Sequence, residues 1–374
     1  MRLGQWLPRV VATLVALTAC TPAAAPTAAP TAAPAAPPAA TVAPTAAATT
    51  APTAVPVAKP VVTAAPTTAP AAAATVKVGY SNITGDQLPL WYSSETGLFA
   101  AHGLDVDSQL VAGGATTVAA LLSGQIQVAQ AGGSEALSAT ANGADLVVVA
   151  TLGPVYPYIF EVVPEIQTPQ DLIGKKIGVA TLGGSADIAT RVALRSVGID
   201  PNKDVTIVAT GSAANRTAAL LSGAIQAGMA GGPPDTLELE AHGLHPIMDL
   251  AALKLPNANN TVMMQRTWLD ANRAVAQRYI DTLIEATGKL KKDKTTSVAI
   301  LKKYYNSDNE VGMTASYDFF TEEVLPNLPF PRPEQLKDSV EQLGASNPKV
   351  LEVKLDRLLD PSLVQNAADR GLGG

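Results

Sequence analysis

A chain of 374 residues, 47% of them apolar, is long enough for two or more domains with cores of their own. A formal net charge of −6 leaves no basic footprint for nucleic acid. The single cysteine excludes an internal disulfide framework, so stability has to come from core burial.

Met1 to Ala19 reads as a signal peptide. Arg2 and Arg9 flank its start, and Val10 to Leu17 is a short apolar core, well below the about 20 residues that a bilayer span needs. It ends in Leu17-Thr18-Ala19-Cys20, which resembles a bacterial lipobox; that implies a lipid on Cys20, the first mature residue. From Cys20 to residue 75 runs a tether. Thr21 to Ala74 is almost entirely Ala, Pro and Thr, and frequent Pro denies it helix, sheet and core. At about 3.1 Å per residue in polyproline-like geometry, the tether reaches on the order of 100 Å. No second apolar run has transmembrane length. The expectation is a folded part of about 300 residues, outside the cytoplasm, held to a membrane by lipid.

From Val76 strands and helices alternate. Residues 76–81 read as a strand, and 88–103 as a helix closed by Gly103. A strand over 104–114, a helix over 115–124 and a strand over 126–133 follow. Next come a helix over 134–143 with Ser134 as N-cap and a strand over 144–153. The pattern then restarts: a short helix and strand (168–181), a helix (185–198), a strand (204–210), a helix (215–223), a strand (225–232) and a helix (234–243). Such alternation argues for βαβ units and parallel sheets. Leu121–Gly133 and Leu220–Gly232 share nine of thirteen residues, 99 positions apart, and occupy the same helix–strand slot in each half. Gly79 and Gly178 keep that offset. The sequence therefore predicts two similar α/β lobes. Residues 261–269 read as a strand and Asp270–Tyr305 as helical; this tail is expected to pack back on the first lobe. The expected division is 76–155 with 256–374 as one lobe, and 156–255 as the other.

Open α/β sheets bind ligands at the carboxyl ends of their strands. Here those ends are small and polar. Ser81 and Asn82, with Gln87 beyond them, follow the first strand; Gly113, Gly114 and Thr116 follow the second; Gly133 and Ser134 follow the third. In the second half the matching residues are Thr181, Gly183, Gly184 and Ser185, then Thr210-Gly211-Ser212, and finally Gly232. Glycine allows close approach to backbone N–H groups, and helix N-termini favour anions; ordinary turn chemistry would select the same residues. Trp91, Tyr156 and Tyr158 are candidates for an aromatic wall, with core packing as the other reading of Trp91. Arg216, where the first repeat has Thr117, would meet an anionic ligand, pair with Asp235 or lie solvated.

The missing motifs also bound the function. There is no HExxH, no GxSxG elbow and no GxxxxGK[ST] loop. His102 and His242 each precede a helix-ending Gly, and no acid/base pair stands out. No metal and no cofactor are expected.

The runs LPLWYSSETGLFAAHGLDVDSQLVAGG, AALLSGQIQVAQAGGSEALSATANGADLVVVATL and TPQDLIGKKIGVATLGGSADIATRVALRSVGIDPNKDVTIVAT resemble periplasmic substrate-binding proteins of ABC importers, in the nitrate/sulfonate/taurine and thiamine-precursor group. The resemblance implies a type II periplasmic-binding-protein fold with two lobes, a hinge and a central ligand cleft. It implies a monomer that delivers a small polar or aromatic ligand to a permease with its ATPase; ligands in the group include nitrate, sulfonates, pyrimidines and flavins such as riboflavin. Relatives often carry Asp where this chain has Gln127 and Gln226, which implies lost charge near the cleft. Many also have an aromatic residue before Pro where it has Gly232-Pro233-Pro234. Two other functions share the fold. One is a membrane-tethered sensor signalling to a partner protein. The other is a thiamine-pyrimidine synthase-like enzyme, which relies on a histidine and a cysteine-rich motif that this chain lacks.

Overall fold

The computed structural model describes residues 73–374. The signal segment, Cys20 and the tether up to residue 72 lie outside the described residues. The first strand, β1 (Ala74–Tyr80), begins two residues ahead of its expected start. The chain continues through α1 (Leu88–Glu95), α2 (Leu98–Ala101), β2 (Leu104–Leu110), α3 (Gly114–Leu122), β3 (Val128–Ala131), α4 (Gly133–Ala141) and β4 (Leu146–Val155). It then crosses into β5 (Ile159–Val162), β6 (Lys176–Val179), α5 (Ser185–Ser196), β7 (Thr206–Ala209), α6 (Ala213–Leu221), β8 (Ala227–Ala230), α7 (Asp235–Ala241) and β9 (His245–Asp249). A second crossing leads into β10 (Pro256–Gln265), and the tail adds α8 (Arg266–Ala271), α9 (Arg273–Leu290), α10 (Lys294–Tyr305), α11 (Glu310–Phe319), α12 (Lys337–Gly344), α13 (Leu355–Leu358) and α14 (Ser362–Asp369).

The strands form two five-stranded sheets, ordered β2-β1-β3-β10-β4 and β7-β6-β8-β5-β9. The two orders are the same pattern. Gly79 pairs with Gln109 and Ala129 in the first sheet; Gly178 pairs with Val208 and Gly228 in the second, at the same 99-residue offset. The repeat has a packing reason. A Cβ on Gly79 would lie 2.6 Å from Ile126 Cδ1, and one on Gly178 would lie 2.4 Å from Ile225 Cδ1. Each repeat Ile fills the space its glycine leaves. Gln127 Oε1 accepts from Lys77 N–H at 2.9 Å, and Gln226 Oε1 from Lys176 N–H at 3.1 Å. The two glutamines directly precede β3 and β8, at the N-terminal ends of those strands. The two glutamines are thus at the end opposite the cleft, and they tie strands together; the expectation that they alter cleft charge is corrected.

β10 runs antiparallel between β3 and β4, and β5 runs antiparallel between β8 and β9. Each lobe therefore borrows one strand from the crossing chain. The tail covers the first lobe: α9 packs on α1 and α2, α12 on α4, and α14 on α9 and β4. Tyr279, Ile280, Leu283 and Ile284 of α9 join Leu90, Trp91 and Phe99 in one buried cluster. Among the described residues no helix is long and apolar enough to cross a membrane.

Several local expectations change. The helix expected over 88–103 breaks at Gly97, which takes φ +74° between α1 and α2. Strands β5 and β9 were not anticipated. The helical stretch 270–305 is broken at Asn272 and again at Lys291–Asp293, where the Asp293 side chain caps α10 by accepting from Thr296 N–H.

Candidate functional site

The carboxyl ends of the two sheets face each other. A Cβ on Gly132 would lie 2.6 Å from Ser185 Oγ across the gap, and one on Gly231 would lie 3.7 Å from the Thr84 methyl. The rims also meet. Arg195 of α5 donates to Gln342 of α12 at 2.7 Å, and a Cβ on Gly232 would run into the Phe319 ring at 2.7 Å. The lobes are closed on one another.

The floor of the first lobe is built after β1. Ser81 N–H donates to Gln130 O and its carbonyl accepts from Gly113 N–H, so the loops after β1, β2 and β3 hold one another. Asn82 Oδ1 accepts from Gln87 Nε2 at 3.1 Å. Asp86 is fully buried. It bonds the Thr84 hydroxyl and accepts from Asn259 Nδ2 at 3.1 Å, while Asn260 Nδ2 donates to its backbone carbonyl. Tyr158 O–H donates to Asn259 Oδ1 at 2.8 Å. A hydrogen-bond chain thus runs from the first crossing, through the second, to Asp86. Burial pushes the Asp86 carboxyl up to about 6, against the pull of the Thr84 and Asn259 bonds.

Glu135 stands in the first turn of α4, where a carboxylate suits the helix dipole. Its Oε2 accepts from Ser134 Oγ at 2.7 Å. Cβ atoms on Gly114 and Gly132 would lie 2.6 and 2.3 Å from its oxygens, and one on Gly184 of the other lobe 3.5 Å away. Bare glycines on three loops make room for this carboxyl, whose pKa burial raises.

In the second lobe the Arg216 stem lies over two glycines. Its Cγ would be 3.6 Å from a Cβ on Gly178, and its Cδ 3.1 Å from one on Gly228. Arg216 is 6% exposed, yet no described carboxylate lies within ion-pair distance and no described residue accepts a hydrogen bond from its guanidinium. Burial lowers its pKa, and the Asp235 charge opposes that. Burial also raises the Tyr158 hydroxyl, which the Asp86 charge pushes further up, Arg216 pulls down and Glu135 pushes up. These four groups therefore share one electrostatic environment. In the first repeat the matching Thr117 is buried and bonds the carbonyls of Val111 and Gly113, so the two lobes differ here in chemistry though not in backbone.

The structure brings Ser81, Asn82, Gly113, Gly114, Gly133 and Ser134 to one side of the gap and Thr181, Gly183, Gly184, Ser185 and Arg216 to the other. Thr116 is exposed, on the first turn of α3. Gln87 is buried and turned to Asn82. Three readings are corrected. Trp91 is core: it is fully buried, stacked on Tyr304 with ring centroids 4.4 Å apart. Ser134 is not an N-cap; α4 starts a residue earlier, after Gly132, and the Ser134 hydroxyl serves Glu135. Tyr156 is fully buried and donates to Asp338 at 2.9 Å, so it pins the tail to the crossing. Gly232 lies beneath Phe319. Asp86, Glu135, Asn259 and Asn260 were missed. Asp86 reads as a turn residue in Gly85-Asp86-Gln87, and Glu135 as part of a helix start; only the paired amides Asn259-Asn260 ahead of an apolar strand were a usable signal. Among the described residues no group of three or more His, Cys, Asp or Glu is placed to hold a metal ion.

Known proteins share this architecture. Residues 85–296 match the family model described as NMT1/THI5 like. No curated protein matches the chain. Among solved structures it is similar to the alkanesulfonate-binding protein SsuA of Xanthomonas axonopodis pv. citri, bound to MOPS (TM-score 0.63, 22% identity, covering 79% of this chain and 98% of that one). It is similar to the periplasmic nitrate-binding protein NrtA of Synechocystis PCC 6803 (0.62, 19%, 79% and 89%). A Candida albicans protein described as having the generic periplasmic binding protein fold is also similar (0.60, 16%, 77% and 96%). With its family model spanning most of both lobes, the chain belongs to the NMT1/THI5-like family and has the two-lobed fold of periplasmic binding proteins.

Proposed function

We propose that this chain is an extracytoplasmic solute-binding lipoprotein, anchored through Cys20, that captures a small polar or aromatic ligand between its lobes and hands it to an ABC importer permease. The observation that carries the reading is the gap itself. Glycine-rich loops from both lobes meet over the largely buried Arg216, whose guanidinium has no hydrogen-bond or ion-pair partner among the described residues. A buried charge without a counter-ion is costly, and a ligand that pairs with Arg216 removes the cost. The named ligands of two structural neighbours, an alkanesulfonate and nitrate, are compatible with such a cation.

In this reading Ser81, Asn82, Gly113, Gly114, Thr116, Gly133, Tyr158, Thr181, Gly183, Gly184, Ser185 and Arg216 surround the ligand, with Asp86, Glu135 and Asn259 added. Residues 155–159 and 249–256 act as the hinge. Contacts from both lobes favour the closed state over the open one, and the closed monomer is the form the permease reads. A micromolar Kd corresponds to about −8 kcal/mol, within reach of a few backbone hydrogen bonds and one charged pair. The chain acts as a carrier and not as an enzyme.

A thermal-shift screen of the full chain against nitrate, bicarbonate, sulfonates, taurine, pyrimidine thiamine precursors and riboflavin tests this. A ligand at 100 times its Kd adds about 2.7 kcal/mol of stability. One strong shift, abolished by Arg216→Met, is the expected result. Binding that is indifferent to Arg216 would place the ligand elsewhere.

A further inference from the structure

Helices α3, α4 and α5 all start at the gap, and all three start after a glycine. Gly113, Gly132 and Gly184 are their N-cap residues, and none of the three has a side chain capping its first N–H groups. Each such end carries roughly half a positive charge, so three brought together repel one another unless an anion stands among them.

The chain supplies that anion itself. A Cβ on Gly114, the first residue of α3, would lie 2.6 Å from Glu135 Oε1; one on Gly132 would run into Oε2; one on Gly184, across the gap, would lie 3.5 Å from Oε1. Ser134 Oγ donates to the carboxylate at 2.7 Å, and among the described residues no Lys, Arg or His pairs with it. An enclosed carboxylate needs compensation, and helix starts hold small anions through the same N–H groups that surround this one. The repeat marks the residue as a departure: at the matching place the second lobe has Pro234, so one carboxylate from one lobe serves both. Arg216 is an independent sign that the gap is arranged around negative charge. It is 6% exposed, and the Tyr158 hydroxyl feels both it and Glu135.

We propose that the Glu135 carboxylate is the resident anion of the gap: it occupies the place between the three helix starts that a free nitrate, sulfonate or carboxylate would take, ties the lobes closed without cargo and shuts small anions out of that place. The inference rests on the binding-protein reading and adds a specificity-determining residue to it. Cargo reaches Arg216 with Glu135 still seated. The chain therefore discriminates against ligands whose only feature is a small anionic group, by like-charge repulsion as well as by occupancy.

Removing the carboxylate and giving one back tests this on the full chain, in a buffer free of small carboxylates. Glu135→Ala empties the place. Acetate, formate and nitrate are the probes, acetamide is the uncharged control and chloride the control for ionic strength. Thermal shift reads binding, and small-angle scattering reads closure. The expected result is a lower Tm and a larger radius of gyration in Glu135→Ala, both restored by acetate or formate and by neither control. Acetate should bind this variant about 10- to 100-fold more tightly than it binds the unmodified chain, the range for hydrogen bonds to a charged group, and nitrate should follow acetate. Glu135→Gln keeps the size without the charge and carries the test if the alanine variant does not fold: it should melt lower, open, and stay indifferent to acetate. An unchanged Tm and radius in Glu135→Gln, or equal responses of Glu135→Ala and the unmodified chain to acetate and nitrate, overturn the inference. Strong nitrate binding by the unmodified chain overturns it while supporting the binding-protein reading. Silence toward these anions in every form also overturns it and leaves that reading standing, since the cargo screen tests it separately.

Discussion

At the scale of single residues the glycine–isoleucine pairs make the sharpest prediction. Gly178→Ala places a methyl 2.4 Å from Ile225 Cδ1, inside the core of the second sheet. Overpacking of this kind costs about 1–3 kcal/mol. Ile225→Val removes the offending methyl, so the double variant should recover part of the loss by denaturant unfolding; simple additivity of the two losses would show that the pair is not coupled. Glu161 makes a second. It is fully buried on β5, neither carboxylate oxygen has a partner, and burial followed by the Glu240 charge pushes it up to about 7. A folded pKa above the unfolded value means the native state holds a proton that the unfolded chain releases. The stability linked to that proton is therefore present at low pH and lost as pH rises from about 4.5 to 7. Asp86, at about 6, adds a loss of the same sign over a lower window. Glu161→Gln should raise Tm at pH 8 and change it little at pH 4.5. A uniform effect at both pH values would mean the carboxyl is not the titrating group.

At the scale of elements the alternation of strands and helices was legible because each βαβ unit has its own punctuation: apolar runs, then glycine at the helix ends. Gly103, Gly124, Gly143, Gly198, Gly223 and Gly243 all take positive φ at these ends, where a left-handed turn is required. What was not legible were β5 and β9. Pro157, Pro164 and Pro246 surround or interrupt them, and their antiparallel pairing brings no local signature, because the partner strands lie far away in the chain. The site was half legible for the same reason. Its glycine loops follow from the local pattern, but Asp86, Asn259 and Tyr158 meet only because the two crossings run side by side. The crossing bonds can be tested directly. Tyr158→Phe removes the donor to Asn259 Oδ1 and should cost about 1 kcal/mol while leaving the fold intact. At the rim, Arg195 bonds Gln342 at 2.7 Å and lies 3.8 Å from Glu341. Arg195→Glu sets like charges face to face. It should open the gap without altering the melting of either lobe, because exposed pairs contribute at most about 1 kcal/mol. Small-angle scattering would show the opening as a larger radius of gyration; an unchanged radius would mean that the rim does not hold the lobes together.

At the scale of the whole molecule the two crossings have a consequence in time. Sheet β7-β6-β8-β5-β9 is complete once residue 249 has emerged, because every strand in it lies between residues 159 and 249. The other sheet is not. β10 sits between β3 and β4, so the N-terminal half of the chain has a gap in the middle of its sheet until residue 265 arrives, and its helical cover comes later still. The later-made lobe can therefore finish first. It would then deliver β10 to its slot, with the hinge already formed by the strands on either side of the crossing. An N-terminal lobe waiting open at its centre exposes Val128, Val147 and Val149 with nothing to cover them, and that interval is when the nascent protein most needs a chaperone.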